Sequence, residues 1–193
     1  MADSPEADAE AMTRLHGGDD LALTEIMARW QQPLANYLMR FCGSEATALD
    51  LTQETFVRVY EARARYDSRG KFATWLYTIA GNLSRNSHRW QQRHPAVSLD
   101  APTDEYGGTL AAHLPDATLA PDAHAEQIER TTAVRAAIAE LPEDLRTVVL
   151  LSEYEDRSHA DIAAVLACTP KAVETRLYRA RQALREKLAR WLA

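Results

Sequence analysis

Residues 158–192, SHADIAAVLACTPKAVETRLYRARQALREKLARWL, carry the pattern that decides the fold. Ser158 followed by Asp161 has the spacing of a capping box and opens a short predicted helix over about His159–Ala167. Thr169 then suits the cap and Pro170 the first turn of a second helix, expected to run to about Leu192. In that helix Val173, Leu177, Ala180, Leu184 and Leu188 recur three and four apart and line one face. At about 100° per residue, Lys171, Thr175, Tyr178, Arg179 and Gln182 fall on the opposite face, with Glu174 and Arg185 at its edge. The apolar stripe is predicted to pack on Ile162 and Val165, which makes the pair a helix-turn-helix. The N-terminal half of such a second helix fits a DNA major groove. Arg179 and Lys171 suit guanine edges or phosphates, whereas Thr175 and Gln182 are short polar readers. Arg181, Arg185, Lys187 and Arg190 are placed to follow the flanking backbone.

Working back toward the N-terminus, the same periodicity recurs. Pro142 suits the first turn of a helix over 142–153, preceded by one over about Ala123–Glu140. Before these, residues 95–122 hold Pro95, Pro102, Pro115 and Pro121 with Gly107-Gly108. They are acidic and poor in aromatics, the composition of a flexible linker. Earlier still, Leu23, Ile26, Met27, Trp30, Leu34, Tyr37, Leu38 and Phe41 mark a helix from about Asp19 to Phe41, which Pro33 is expected to kink or split. Ser44 can cap a helix over about Glu45–Ala64. Tyr66–Gly70 reads as a loop, and a further helix covers about Ala73–Gln92. Trp75 reads as core, and Tyr77 is left open between core and base stacking. The prediction is an all-α protein: an acidic N-terminal tail (1–18), a first helical domain (19–94), the linker (95–122) and a second helical domain (123–193).

The net charge of −6 looks wrong for a DNA-binding protein until it is divided along the chain. Residues 58–93 carry +6 and residues 171–190 carry +5, while 1–25 carry −6 and 94–125 carry −5. Two basic blocks held apart by acidic ones fit a polyanion gripped at two places. Hydrophobic residues make up 46% of the chain, enough for a packed core. No stretch approaches the ~20 apolar residues of a membrane span. The start, MADSPEADAEAM, lacks the basic-then-apolar plan of a signal peptide, so the cytoplasm is the expected compartment, without membrane insertion. Cys42 and Cys168 form no CxxC pair and read as small packed thiols. The chain has no P-loop, GxSxG, HExxH or metal triad, so no enzyme activity, catalytic residue, metal or cofactor is expected.

Three segments together resemble a known family. LPEDLRTVVLLSEYEDRSHADIAAVLACTPKAVETRLYRARQALREKL (141–188) resembles region 4 of sigma-70 family RNA polymerase sigma factors of the extracytoplasmic-function (ECF) group. ALDLTQETFVRVYEA (48–62) and KFATWLYTIAGNLSRNSHR (71–89) resemble region 2 of the same group. The resemblance implies a factor that docks on core RNA polymerase through its β′ and β subunits and recognises the −10 and −35 elements of promoter DNA. Carried over residue by residue, it places polymerase docking on Asp50, Gln53 and Glu54, on a helix whose Leu51, Phe56 and Val59 face inward. Recognition of the −10 element would fall to Ser68, Arg69, Lys71 and Asn82, with Arg85, Asn86, Arg89 and Arg93 along the phosphates. A base held out of its stack needs a pocket with hydrogen-bonding groups and apolar walls. The −35 reader would comprise Lys171, Glu174, Thr175, Arg176, Tyr178 and Arg179. Glu174 departs from the family pattern, where Lys or Arg is common, and so does the missing glycine near Lys171. A third partner implied by the resemblance is an anti-sigma factor, the kind of protein that holds many members of this group inactive.

A different reading is a helix-turn-helix regulator that binds palindromic operators without polymerase. It gives the DLTQETF segment no role.

Overall fold

The computed structural model describes residues 4–93 and 121–192, and every regular element among them is helical. The N-terminal half is built from α1 (Pro5–His16) followed, in the stretch that resembles region 2, by α2 (Leu21–Cys42), α3 (Glu45–Glu61), a 3-10 turn (Arg63–Arg65) and α4 (Phe72–Arg93). The C-terminal half, which holds the stretch that resembles region 4, comprises α5 (Pro121–Ala139), α6 (Glu143–Glu153), α7 (His159–Val165), α8 (Pro170–Lys187) and α9 (Ala189–Leu192). Apart from Pro121 and Asp122, which begin α5, the expected linker lies outside the described residues.

Where a tail was expected, residues Pro5–His16 form a helix. Pro5 opens α1, Glu6 and Asp8 sit in its first turn, and Arg14 and His16 in its last, all favourable to the helix dipole. Ala11, Met12 and Leu15 are buried, and Asp8 is buried with them. The Asp8 carboxylate accepts from the Trp30 indole Nε1 at 3.0 Å and from Arg29 Nε at 2.8 Å. The apolar spacing of Ala11, Met12 and Leu15 was a helix signal hidden under the count of acids.

Pro33 does not split α2, which is unbroken from Leu21 to Cys42. Burial of Trp30, Leu34, Tyr37, Leu38 and Phe41 on both sides of the proline outweighs the hydrogen bond it cannot donate. Gly43 ends the helix with φ 75°, a left-handed conformation that glycine adopts without a Cβ clash, and its amide donates to Met39 O at 2.9 Å. Ser44, Ser158 and Thr169 cap α3, α7 and α8 through their side-chain oxygens, at 3.3, 3.2 and 3.2 Å. Two expected ends move. The helix predicted to Ala64 stops at Glu61, before the 3-10 turn, and the last helix breaks at Leu188 before α9. Pro142 occupies the cap position of α6 rather than its first turn.

Trp30, Tyr37, Phe41, Phe72 and Tyr77 form the aromatic centre of region 2, with Tyr37 and Tyr77 edge to face at 5.2 Å. Tyr77 is thus core. Trp75 is half-buried against Tyr66 and Phe72. In region 4 the stripe of α8 meets Ile162 and Val165 of α7, as the spacing predicted. The two halves also pack on each other: α7 lies against α4, and α5 and α6 against α2. Arg146 of α6 donates to Phe41 O at 2.7 Å across that boundary.

Candidate nucleic-acid interface

The first half of α8 presents an open polar face. Lys171, Glu174, Thr175, Tyr178 and Arg179 are exposed, while Val173, Leu177 and Ala180 are buried behind them. Thr175 Oγ1 donates to the Lys171 carbonyl at 3.0 Å, and Lys171 Nζ lies 2.6 Å from Glu174 Oε2. This pairing holds the Glu174 carboxyl below its ordinary range and raises the Lys171 ammonium. Among the described residues Arg179 has no ion-pair or hydrogen-bond partner. Tyr178 is 71% exposed, a large unpartnered ring on a helix that otherwise buries its apolar groups.

Arg176 does not belong to this open face. It is half-buried and turned toward the helix-turn-helix turn, where Nη1 donates to Cys168 Sγ at 3.0 Å and Nε pairs with Asp144 at 3.2 Å. One residue on from Thr175 is a rotation of about 100°, enough to carry a side chain off the groove side.

The other basic block, residues 58–93, divides into two places. Asn82 lines a cleft of about 460 Å³ with Arg58, Glu61, Ala62, Arg65, Ile79 and Leu83. Hydrogen-bonding groups stand over apolar walls there, the composition a displaced base requires. Arg58, Arg65 and Leu83 were missed by the sequence reading, although both arginines lie in the +6 block. Asn82 Oδ1 accepts from Arg85 Nη2 at 2.7 Å, while Asn86, Arg89 and Arg93 are exposed along α4.

Ser68, Arg69 and Lys71 do not line this cleft. Arg69 folds back on Asp67, donating through Nη2 at 2.7 Å, and this guanidinium holds the Asp67 carboxyl down to about 2. Lys71 is engaged by region 4, its Nζ 2.9 Å from Asp161 Oδ2.

On α3, Asp50 and Gln53 are exposed, and Glu54 is half-buried with its carboxylate on Arg58 Nε at 2.7 Å. Leu51, Phe56 and Val59 face inward. Leu49 and Val57 are exposed beside the three polar residues, so the surface is mixed rather than purely polar. Neither was singled out from the sequence. The spacing of Leu49, Gln53 and Val57, four apart, would have marked them as one stripe.

Fold and surface together define a bipartite nucleic-acid-binding protein with a helix-turn-helix in one half. Residues 26–94 match Sigma-70 region 2, and residues 131–184 match Sigma-70, region 4. The chain is 31% identical to the RNA polymerase sigma-H factor of Pseudomonas aeruginosa over 183 residues, 95% of this chain and 94% of that one. It is 32% identical to the ECF RNA polymerase sigma-E factor of Escherichia coli K12 over 185 residues, 94% of each. Among solved structures, CnrH in complex with the cytosolic domain of CnrY superposes with a TM-score of 0.66 at 24% identity, covering 95% and 97% of the two chains. The sigma factor RpoE of Bartonella quintana, solved with the anti-sigma factor NepR, gives 0.60 at 21% identity, covering 86% and 96%.

The chain belongs to the sigma-70 family, in its ECF group. It binds core RNA polymerase and directs transcription initiation at promoters with −10 and −35 elements. Sigma factors are not enzymes. With residues 26–94 matched to region 2, an operator-binding regulator is not supported. No helix of the described residues is long and apolar enough to cross a membrane.

Proposed function

We propose a division of labour among three surfaces. Asp50, Gln53 and Glu54, framed by Leu49 and Val57, dock on the polymerase β′ subunit. The Asn82 cleft takes a base of the opened −10 element, its amide offering both a donor and an acceptor to a base edge. Arg85, Asn86, Arg89 and Arg93 follow the adjoining phosphates, and Ser68, Arg69 and Lys71 approach the same strand from the loop. Lys171, Glu174, Thr175, Tyr178 and Arg179 read the −35 element in the major groove, while Arg176 braces the turn that aims them.

One observation carries this reading: an exposed, unpaired Arg179 on a rigid helix, in the same chain as a polar cleft with apolar walls. Glu174 adapts the reader. A carboxylate accepts from a cytosine amino group, and its pairing with Lys171 lessens repulsion from phosphate.

The work is binding and positioning in the cytoplasm, with no cofactor and no catalysis by the chain itself. An anti-sigma factor is the third partner we propose, by analogy with the complexes of the structural relatives. The test is runoff transcription with core polymerase on a promoter selected by the holoenzyme. Arg179→Ala should cost about 1–3 kcal/mol at a single −35 position. An equal loss on every −35 sequence would reduce Arg179 to a phosphate contact, and no promoter-dependent transcript from the wild type would remove the reading altogether.

A further inference from the structure

We propose that Arg85 is a positioning residue of the −10 site: it turns the Asn82 amide so that the NH2 group is offered to the incoming base, and so selects a base edge made of acceptors. An asparagine amide by itself offers a base both a donor and an acceptor. Arg85 removes that ambiguity. Its Nη2 donates to Asn82 Oδ1 at 2.7 Å. A guanidinium has only donors, so the atom it meets must be the amide oxygen. Turning the amide over would set NH2 against NH2 and exchange a charge-assisted hydrogen bond for a clash of donors. The guanidinium is itself held in place. Its Nη1 is buried and makes no hydrogen bond among the described residues. It lies over Gly81, where an added Cβ would meet Nη1 at 3.4 Å and Cζ at 3.8 Å. Glycine weakens a helix interior, and here it leaves the space on which the guanidinium rests. Gly81, Asn82 and Arg85 all belong to α4, where residues three and four apart are neighbours. The arrangement therefore needs no second element to assemble it.

The rest of the cleft has the same polarity. Arg65 lines it with Asn82, is exposed, and makes no side-chain hydrogen bond or ion pair among the described residues. Glu61, the one carboxylate of the lining, already accepts from Arg58 Nη1 at 3.2 Å, and Arg58 Nε is spent on Glu54 at 2.7 Å. Two donors are thus left for a ligand, the Asn82 NH2 and the Arg65 guanidinium, above walls supplied by Ala62, Ile79 and Leu83. Two donors fit a base edge with two adjacent acceptors: O2 and N3 of cytosine, or O6 and N7 of guanine. Adenine sets its amino group beside both N1 and N7, and thymine places an N–H between its two carbonyls. Either would meet the donors with a donor of its own. The ligand is then an unpaired cytosine or guanine of the opened strand. The proposal rests on the Asn82 cleft taking a base; it adds which bases fit and the neighbour through which they are chosen. Arg85 acts on that base through Asn82, in addition to its place beside the phosphates.

Two measurements test it. The first needs no DNA: in the NMR spectrum of the full chain, the side-chain amide signals of Asn82 should shift on Arg85→Ala and be largely restored in Arg85→Lys, which keeps a donor. The second is transcription by the reconstituted holoenzyme on a selected promoter, with all four bases placed in turn at every −10 position. At one position the wild type should favour cytosine or guanine over adenine and thymine by about 10- to 100-fold, the discrimination that a well-placed pair of hydrogen bonds provides. Arg85→Ala should narrow this to about 3-fold, and Asn82→Ala should abolish it at the same position, with the double variant no worse than Asn82→Ala because the two residues act as one unit. Should Arg85→Ala lose helical content, Arg85→Met keeps the stem, removes only the donors and supplies the same comparison. An Asn82 signal indifferent to Arg85 would overturn the positioning role. So would an equal loss on all four bases with a salt slope lower by about one, which is the mark of a phosphate contact alone. A preference for adenine or thymine would overturn the donor assignment. If Asn82→Ala left every base preference unchanged, the cleft would hold no base and the selectivity would fall with it, while the amide signal would still judge whether Arg85 orients Asn82.

Discussion

Replacing Arg146 with alanine should destabilise the protein by about 3 kcal/mol, and the size follows from what its guanidinium holds. Arg146 is 6% exposed. Its Nη1 donates to Phe41 O at 2.7 Å, and its Nη2 donates to Leu141 O at 3.1 Å and to Ala139 O. It also lies 5.1 Å from the centre of the Phe41 ring. Hydrogen bonds to a charged donor contribute ~1.5–3 kcal/mol each, and a stranded buried carbonyl costs ~1–3. Three such bonds would suggest more than 3 kcal/mol. Against them stands the cost of burying the cation, which lowers its own pKa and leaves Nε without a partner. For a chain of this length ~1 kcal/mol moves the melting temperature by about 2–4 °C, so Arg146→Ala should lower it by roughly 6–12 °C. Arg146→Lys should fall between, because one ammonium cannot reach carbonyls diverging in two directions. Thermal melts followed by circular dichroism provide the assay. A shift under about 2 °C for Arg146→Ala would show that these carbonyls are satisfied equally well without it.

Three further outcomes are expected. Glu174→Gln should move the preferred base at one −35 position from cytosine toward adenine in a selection by the holoenzyme, since an amide pairs with adenine as a carboxylate cannot; unchanged preference at every position would mean Glu174 reads no base. Asp67, held down to about 2 by Arg69, should contribute stability above its unfolded pKa near 4 and lose it as the pH falls toward 2. An NMR titration should return Asp67 to about 4 in Arg69→Ala, and an unmoved value would exonerate the pair. Leu15→Ala should cost about 2–5 kcal/mol in urea unfolding because Leu15 is fully buried, whereas a residue in a dangling tail would cost almost nothing.

Much was legible from local pattern. The helix-turn-helix could be read because Ser158, Asp161, Thr169 and Pro170 act on their own backbone and because Val173, Leu177 and Ala180 share a face by helical geometry alone. The inward turn of Leu51, Phe56 and Val59 had the same origin. The direction Arg176 takes could not be read because it depends on Asp144 and Cys168, and α1 was misread because its acids concealed Ala11, Met12 and Leu15. The Asn82 cleft was half seen. Asn82 was named from its motif, and Ile79 and Leu83 share its helix, but Arg58 and Arg65 come from α3 and the 3-10 turn and meet it only on folding.

By itself, the order of residues determined the helices, their caps, the two basic blocks and the family, since each depends on neighbours within a few positions. Only tertiary structure decided that the halves close on one another and that Lys71 is held by Asp161, ninety positions away. Only tertiary structure placed Glu155 against Tyr77. Periodicity shows that a face will be buried but not which surface buries it, because partners distant in sequence are chosen by the shape and charge of the assembled whole.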